Sequence, residues 1–262
     1  MKKKKIIAVT LISVFAALAV FTGMMAYWQW NDQHQSTEEF SSLAELIEDT
    51  TAEPSETETP TDGEVSQTDS TSDAAYLKYE ELYNRNNDFV GWISIDGTGI
   101  NYPVMQTIHN PDYYLKHSFE KTYSDYGVPY VDEGCAVGLS MNTVVYGHHM
   151  KNGTMFSSLV NYEDKSYFEA HPIINFDTFY GLGKYQVIAA FAFDVSRETF
   201  RYNEFADGNK QEFDKYVSEC MARRAYDTGF SAEFGDKLLT LSTCEYTHQN
   251  GRFVVVAKLI NE

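Results

Sequence analysis

Residues 237–260 read KLLTLSTCEYTHQNGRFVVVAKLI, two apolar runs separated by a polar stretch. The runs 237–243 and 253–260 have the length and β-branched content of strands. A tight hairpin through 245–251 would fold the second run back on the first. Cys244 then stands at a strand end, where a rigid platform opens into a loop, and Arg252 at the start of the next strand returns close to its thiol. A permanent positive charge there favours thiolate and can stabilise a developing oxyanion. The bland alternative is a small buried hydrophobe at 244 and a surface arginine at 252. The local pattern leaves both open.

Outward from this hairpin the strand signature recurs. Runs at 89–95, 100–104, 127–131, 142–147, 173–176 and 185–195 bring the total to eight short strands, with Asp96-Gly97-Thr98-Gly99 as turn chemistry between the first two. Eight strands suffice for a closed barrel in a mostly-β domain. Two helices interrupt the pattern. Tyr76, Tyr79, Leu82 and Tyr83 fall at helical spacing, and Phe213, Tyr216, Val217 and Cys220 lie at i, i+3, i+4 and i+7. Cys220 on that stripe reads as a buried structural thiol. Cys135, Cys220 and Cys244 include no C-x-x-C pair, so a zinc site is not indicated, and an odd number, three, excludes a fully paired disulfide set within one chain.

A cysteine nucleophile needs an acid/base, usually histidine. His148-His149 terminates the strand-like run 142–147 and is the best placed of the seven histidines. Neighbouring strand residues point to opposite faces, so at most one of the pair can face Cys244, and periodicity does not choose between them. The pair also lacks the i, i+4 spacing of a helical zinc site. No metal or other cofactor is expected.

The N-terminus decides the compartment. Lys2–Lys5 precede an uncharged run over 6–28, long enough at about 1.5 Å per residue to cross a bilayer core of about 30 Å. Tyr27, Trp28 and Trp30 sit where interfacial aromatics belong. No Lys or Arg follows Lys5 until Lys78, so the positive-inside rule places residues 1–5 in the cytoplasm and everything after Trp30 outside. Ala17-Leu18-Ala19 resembles a signal-peptide cleavage site, but the apolar run continues past it. An uncleaved, single-pass anchor is the expected state. Residues 29–75 are expected to be a disordered stalk. From 31 to 75 there are thirteen Asp and Glu, no Lys or Arg and many Ser and Thr, a composition that repels itself and buries little. The domain proper is expected over 76–262. A formal net charge of −18 argues against nucleic-acid binding, which needs clustered cations.

Taken together these residues resemble the sortase family. Thr240-Leu241-Ser242-Thr243-Cys244 looks like its T-L-x-T-C signature, Arg252-Phe253-Val254-Val255 like its R-[FY]-V-V segment, and Tyr146-Gly147-His148 like the motif carrying its histidine. The resemblance thus selects His148 over His149. It is most similar to class B, through Asn101-Tyr102-Pro103-Val104, Tyr113-Tyr114-Leu115, the stretch 146–156 and the helix around 213–223. It departs from the class B pattern at Asn110-Pro111-Asp112. The resemblance implies a sortase-like β-barrel with peripheral helices and a cysteine transpeptidase using Cys244, His148 and Arg252. The resemblance further implies Thr243, Ser242, Tyr146, Glu245 and Leu115 as the substrate-binding set. The implied partners are secreted proteins bearing a C-terminal sorting motif. The acceptor would be an amine of a peptidoglycan precursor or of another protein. An extracellular cysteine hydrolase of cell-wall peptides would use the same Cys–His pair, and a non-enzymatic adhesin would need only the stalk and the β-domain.

Overall fold

The computed structural model describes residues 2–51, 67–245 and 251–260. Eight strands close a barrel: β1 (Phe89–Ser94), β2 (Asn101–Met105), β3 (Tyr130–Val131), β4 (Asn142–Tyr146), β5 (Ile173–Thr178), β6 (Lys184–Asp194), β7 (Leu238–Glu245) and β8 (Gly251–Leu259). Their order around the barrel is β1-β2-β3-β4-β7-β8-β6-β5. Each expected strand is present. The sequence could not supply the order, in which β4 lies parallel to β7 and pairs Tyr146 with Ser242.

The β7–β8 hairpin decides the layering. Phe253, Val255 and Ala257 join Leu239 and Leu241 inside the barrel. The alternate residues Val254, Val256 and Leu238 face outward into a second cluster, beneath the helix α4 (Lys210–Arg223). The period of two along each strand therefore serves two cores at once, which explains why the hairpin reads as continuously apolar. Helix α4 begins at a capping box of Asn209 and Glu212 and buries Phe213, Tyr216, Val217 and Cys220, the four residues of the expected stripe. A short helix α3 (Lys165–Ala170) and a 3₁₀ segment over Phe156–Glu163 lie between β4 and β5.

The segment before β1 departs from expectation. A single helix α1 runs Lys2–Thr51 and a second, α2, runs Gln67–Arg85, so residues 29–51 and 67–75 of the expected stalk are helix. Residues 52–66 of the expected stalk lie outside the described residues. Phe40, Leu43 and Ile47 are buried in the barrel's core cluster, with Ala44 packed against it. These four positions form an i, i+3, i+4, i+7 stripe. An average over an acidic segment hides such a stripe. On α2, Tyr79 and Leu82 are buried, whereas Tyr76 and Tyr83 flank Phe179 at the surface. In α1 Ile7 and the apolar side chains over 11–30 stand exposed, and within Thr10–Glu48 lies a stretch long and apolar enough to cross a membrane.

Candidate active site

The outer face of β7 carries Thr240, Ser242 and Cys244 in succession. Tyr216 of α4 covers Thr240, its hydroxyl 2.7 Å from Oγ1 of Thr240. Past Thr240 the same face opens into a cleft of about 360 Å³, lined by Ser242, Thr243, Cys244 and Arg252 together with Leu115, Tyr146, Gly147 and His148. The site thus arises where the helix stops covering the strand.

Cys244 is half-buried and lies directly opposite Arg252 in the antiparallel β7–β8 register. Directly opposed side chains start with Cβ atoms about 5 Å apart, so the hairpin by itself brings thiol and guanidinium together. Arg252 is anchored by a 3.0 Å bond from Nη1 to the carbonyl of Gly251. β7 extends to Glu245, so Cys244 lies within the strand, one residue before its end.

His148 leaves β4 two residues after Tyr146. Gly147 between them has no room for a side chain, since an added Cβ would meet the Phe156 ring at 2.5 Å. Its amide donates to the Ser242 carbonyl at 3.1 Å, and its carbonyl accepts from Thr243 Oγ1 at 2.8 Å. These bonds lock the start of the histidine loop to β7. Nε2 of His148 lies 2.7 Å from the carbonyl of Leu115. A carbonyl only accepts, so Nε2 carries the proton and the lone pair of the neutral ring sits on Nδ1. Burial holds this imidazole below its ordinary value, against the opposing pull of the Leu115 carbonyl. His149 points away. Its Nδ1 lies 2.9 Å from the backbone carbonyl of Cys244, and its ring lines a different cleft with Phe253 and Tyr226.

Of the expected substrate-binding residues, Thr243, Ser242, Tyr146 and Leu115 line the cleft. The side chain of Glu245 lies outside the described residues. The sequence reading missed a ring of supporting groups. Tyr202, from the loop after β6, sits 2.8 Å from Ser242 Oγ through its hydroxyl. Tyr146 donates to Asp132 at 2.7 Å and Tyr130 to Asp112 at 3.1 Å. Asp112 falls in the short stretch where the class B pattern broke, and that break was the available signal. Cys135 and Cys220 are buried away from the cleft, and burial pushes their thiols up to about 11 and about 12 respectively.

Comparison with known proteins agrees with this geometry. The sortase domain family matches residues 93–260, which include every cleft residue on β7 and β8 together with His148. The chain belongs to the sortase family. Its relatives are class B sortases. It is 36% identical to sortase B of Staphylococcus aureus over 186 residues, 70% of this chain and 75% of that protein. It is 34% identical to sortase B of Listeria monocytogenes over 185 residues, 70% and 74%. Among solved structures, a Staphylococcus aureus sortase B–substrate complex superposes with a TM-score of 0.72 at 30% identity, covering 88% of this chain and 98% of that one. Sortase B of Clostridium perfringens gives 0.62 at 30% identity, covering 70% and 99%. As a family member the protein is a sortase-type cysteine transpeptidase, and its closed barrel is the sortase barrel.

Proposed function

We propose that this sortase cleaves a C-terminal sorting motif of secreted proteins at Cys244 and transfers them to an amine of a peptidoglycan precursor or of another protein. The observation that carries the reading is the convergence of Cys244, Arg252 and His148 on one cleft, with Cys244 and Arg252 in cross-strand register. His148 Nδ1 takes the thiol proton, and Cys244 Sγ attacks the carbonyl carbon of the motif's threonine. Arg252 carries the charge that develops on the carbonyl oxygen. As the C–N bond breaks, His148 Nδ1 returns the proton to the leaving amine, and a thioester remains on Cys244. The acceptor amine attacks that thioester, passes a proton to Nδ1, and thiolate leaves. Ser242, Thr243, Tyr146 and Leu115 shape the groove, with Glu245 assigned to the same set. The anchor in α1 would hold the domain outside the membrane, with residues 1–5 in the cytoplasm.

Product analysis of a cleaved sorting peptide tests the reading. With an added amine nucleophile the product should be the amide, and Cys244→Ala should yield neither amide nor acid while melting like the parent. Release of acid alone, unaffected by added amine, would make the protein a hydrolase.

A further inference from the structure

Two separate routes lead from the membrane-proximal part of α1 to the supports of His148. The first reaches its backbone. Phe40 packs edge-on against Tyr102 of β2, ring centroids 5.0 Å apart. The Tyr102 hydroxyl accepts a hydrogen bond from the Met155 amide at 3.0 Å. Met155 is buried and adopts φ 57, ψ −134, a conformation that L side chains rarely take and that persists only where the surroundings hold it. It bridges to His149, and the next amide, Phe156, donates to the His148 carbonyl at 2.8 Å. Tyr102 therefore clamps the point at which the histidine loop closes.

The second route reaches the ring. Asp32, Ser36 and Glu39 share one face of α1. Asp32 accepts from the Asp125 amide at 2.9 Å, Ser36 Oγ lies 3.2 Å from Ser124 Oγ, and Glu39 accepts from the Glu120 amide at 3.0 Å. The Ser124 amide in turn donates to the Lys116 carbonyl at 3.0 Å. Lys116 adjoins Leu115, whose carbonyl receives His148 Nε2. Gly127 makes the close approach possible: at φ +58 an added Cβ would meet the Tyr114 and Leu115 carbonyl oxygens at 2.4 and 2.8 Å.

We propose that residues 32–40 of α1 are a positioning element for His148, acting through Tyr102 on its backbone and through the 116–125 segment on its ring. The anchor helix is then part of the catalytic support and more than a tether. The proposal rests on His148 being the proton-transfer group. Arg252, Ser242 and Tyr202 lie on β8, β7 and the loop after β6, whereas α1 packs mainly on α2 and β2. Disturbing the Tyr102 route, which touches none of the groove residues, should accordingly misalign proton transfer without weakening substrate binding.

The test uses the full chain in detergent micelles, with kcat, KM and the His148 ring-nitrogen resonances read for Tyr102→Phe, Phe40→Ala and Ile47→Ala. Ile47 is buried on the same helix but lies beyond the proposed segment. Tyr102→Phe and Phe40→Ala should lower kcat roughly tenfold or more while KM stays within about twofold, because small misplacements of a catalytic group are costly. Their His148 resonances should depart from the single Nε2–H tautomer of the parent. Ile47→Ala should lower the melting temperature and leave kcat unchanged well below it. Tyr102→Phe keeps the ring and its packing, so it reports even where Phe40→Ala fails to fold. Turnover of Tyr102→Phe within about twofold of the parent, or a kcat loss in Ile47→Ala equal to that in Phe40→Ala, overturns the proposal. Near-parental turnover in His148→Asn would instead overturn the catalytic reading beneath it.

Discussion

In the proposed reaction His148 and Arg252 do different work at the same thiol, and each makes a distinct demand on side-chain chemistry. Arg252 offers a planar fork with several donors in fixed geometry, which an ammonium does not reproduce. Arg252→Lys should therefore lower kcat/KM by roughly 10²-fold or more, the usual scale for losing an oxyanion donor. Near-normal turnover in a peptide-cleavage assay would remove Arg252 from the catalytic set. For His148 the consequence concerns stability as well as catalysis. Burial depresses its pKa in the folded chain, so the unfolded chain binds the proton more readily. Its neutral form costs nothing above the unfolded imidazole value near 6.5, and stability is lost as pH falls through that value until the depressed folded pKa is passed. Denaturant midpoints measured between neutral pH and mild acid should thus fall more steeply for the parent than for His148→Asn, which has no such proton to bind. Parallel falls would contradict the assigned shift. The thiol, the arginine and the histidine were all legible as residues. The choice of His148 over His149 needed the family resemblance, because strand periodicity says only that the two diverge, as they do.

At the scale of elements, the eight strands and α4 were legible because each carries its own local signature: period-two or continuous β-branched runs, and the Phe213–Cys220 stripe. Strand order was not. The parallel pairing of β4 with β7, which brings Gly147 to Ser242, depends on contacts about a hundred residues apart that no local pattern encodes. Tyr202, Asp132 and Tyr130 escaped notice for the same reason, since each matters only through a partner that the fold supplies. The lower part of α1 was misread through its composition. Its stripe of Phe40, Leu43, Ala44 and Ile47 is diluted by acidic neighbours that face solvent. Leu43 is fully buried, so Leu43→Ala should cost about 2–5 kcal/mol in equilibrium unfolding. An unaltered unfolding midpoint would return this segment to the extended stalk that its composition suggested.

Over the whole molecule, α1 changes its surroundings along its length. Over 11–30 its apolar side chains are exposed, as suits lipid, and by Phe40 they are buried against the barrel. One continuous helix thus joins a candidate membrane span to the domain that carries the cleft. With that span in a bilayer, a continuous helix would fix the height of the cleft more tightly than a flexible linker would. The proposed reaction depends on a covalent intermediate at Cys244. Intact-mass spectrometry of the full chain, incubated with a library of candidate sorting peptides, tests this most directly. The expected result is an added mass equal to the acyl portion of a cleaved peptide, mapped to Cys244, discharged by an added amine and missing from Cys244→Ala. No adduct on the parent during turnover, or an adduct that persists in Cys244→Ala, would contradict it.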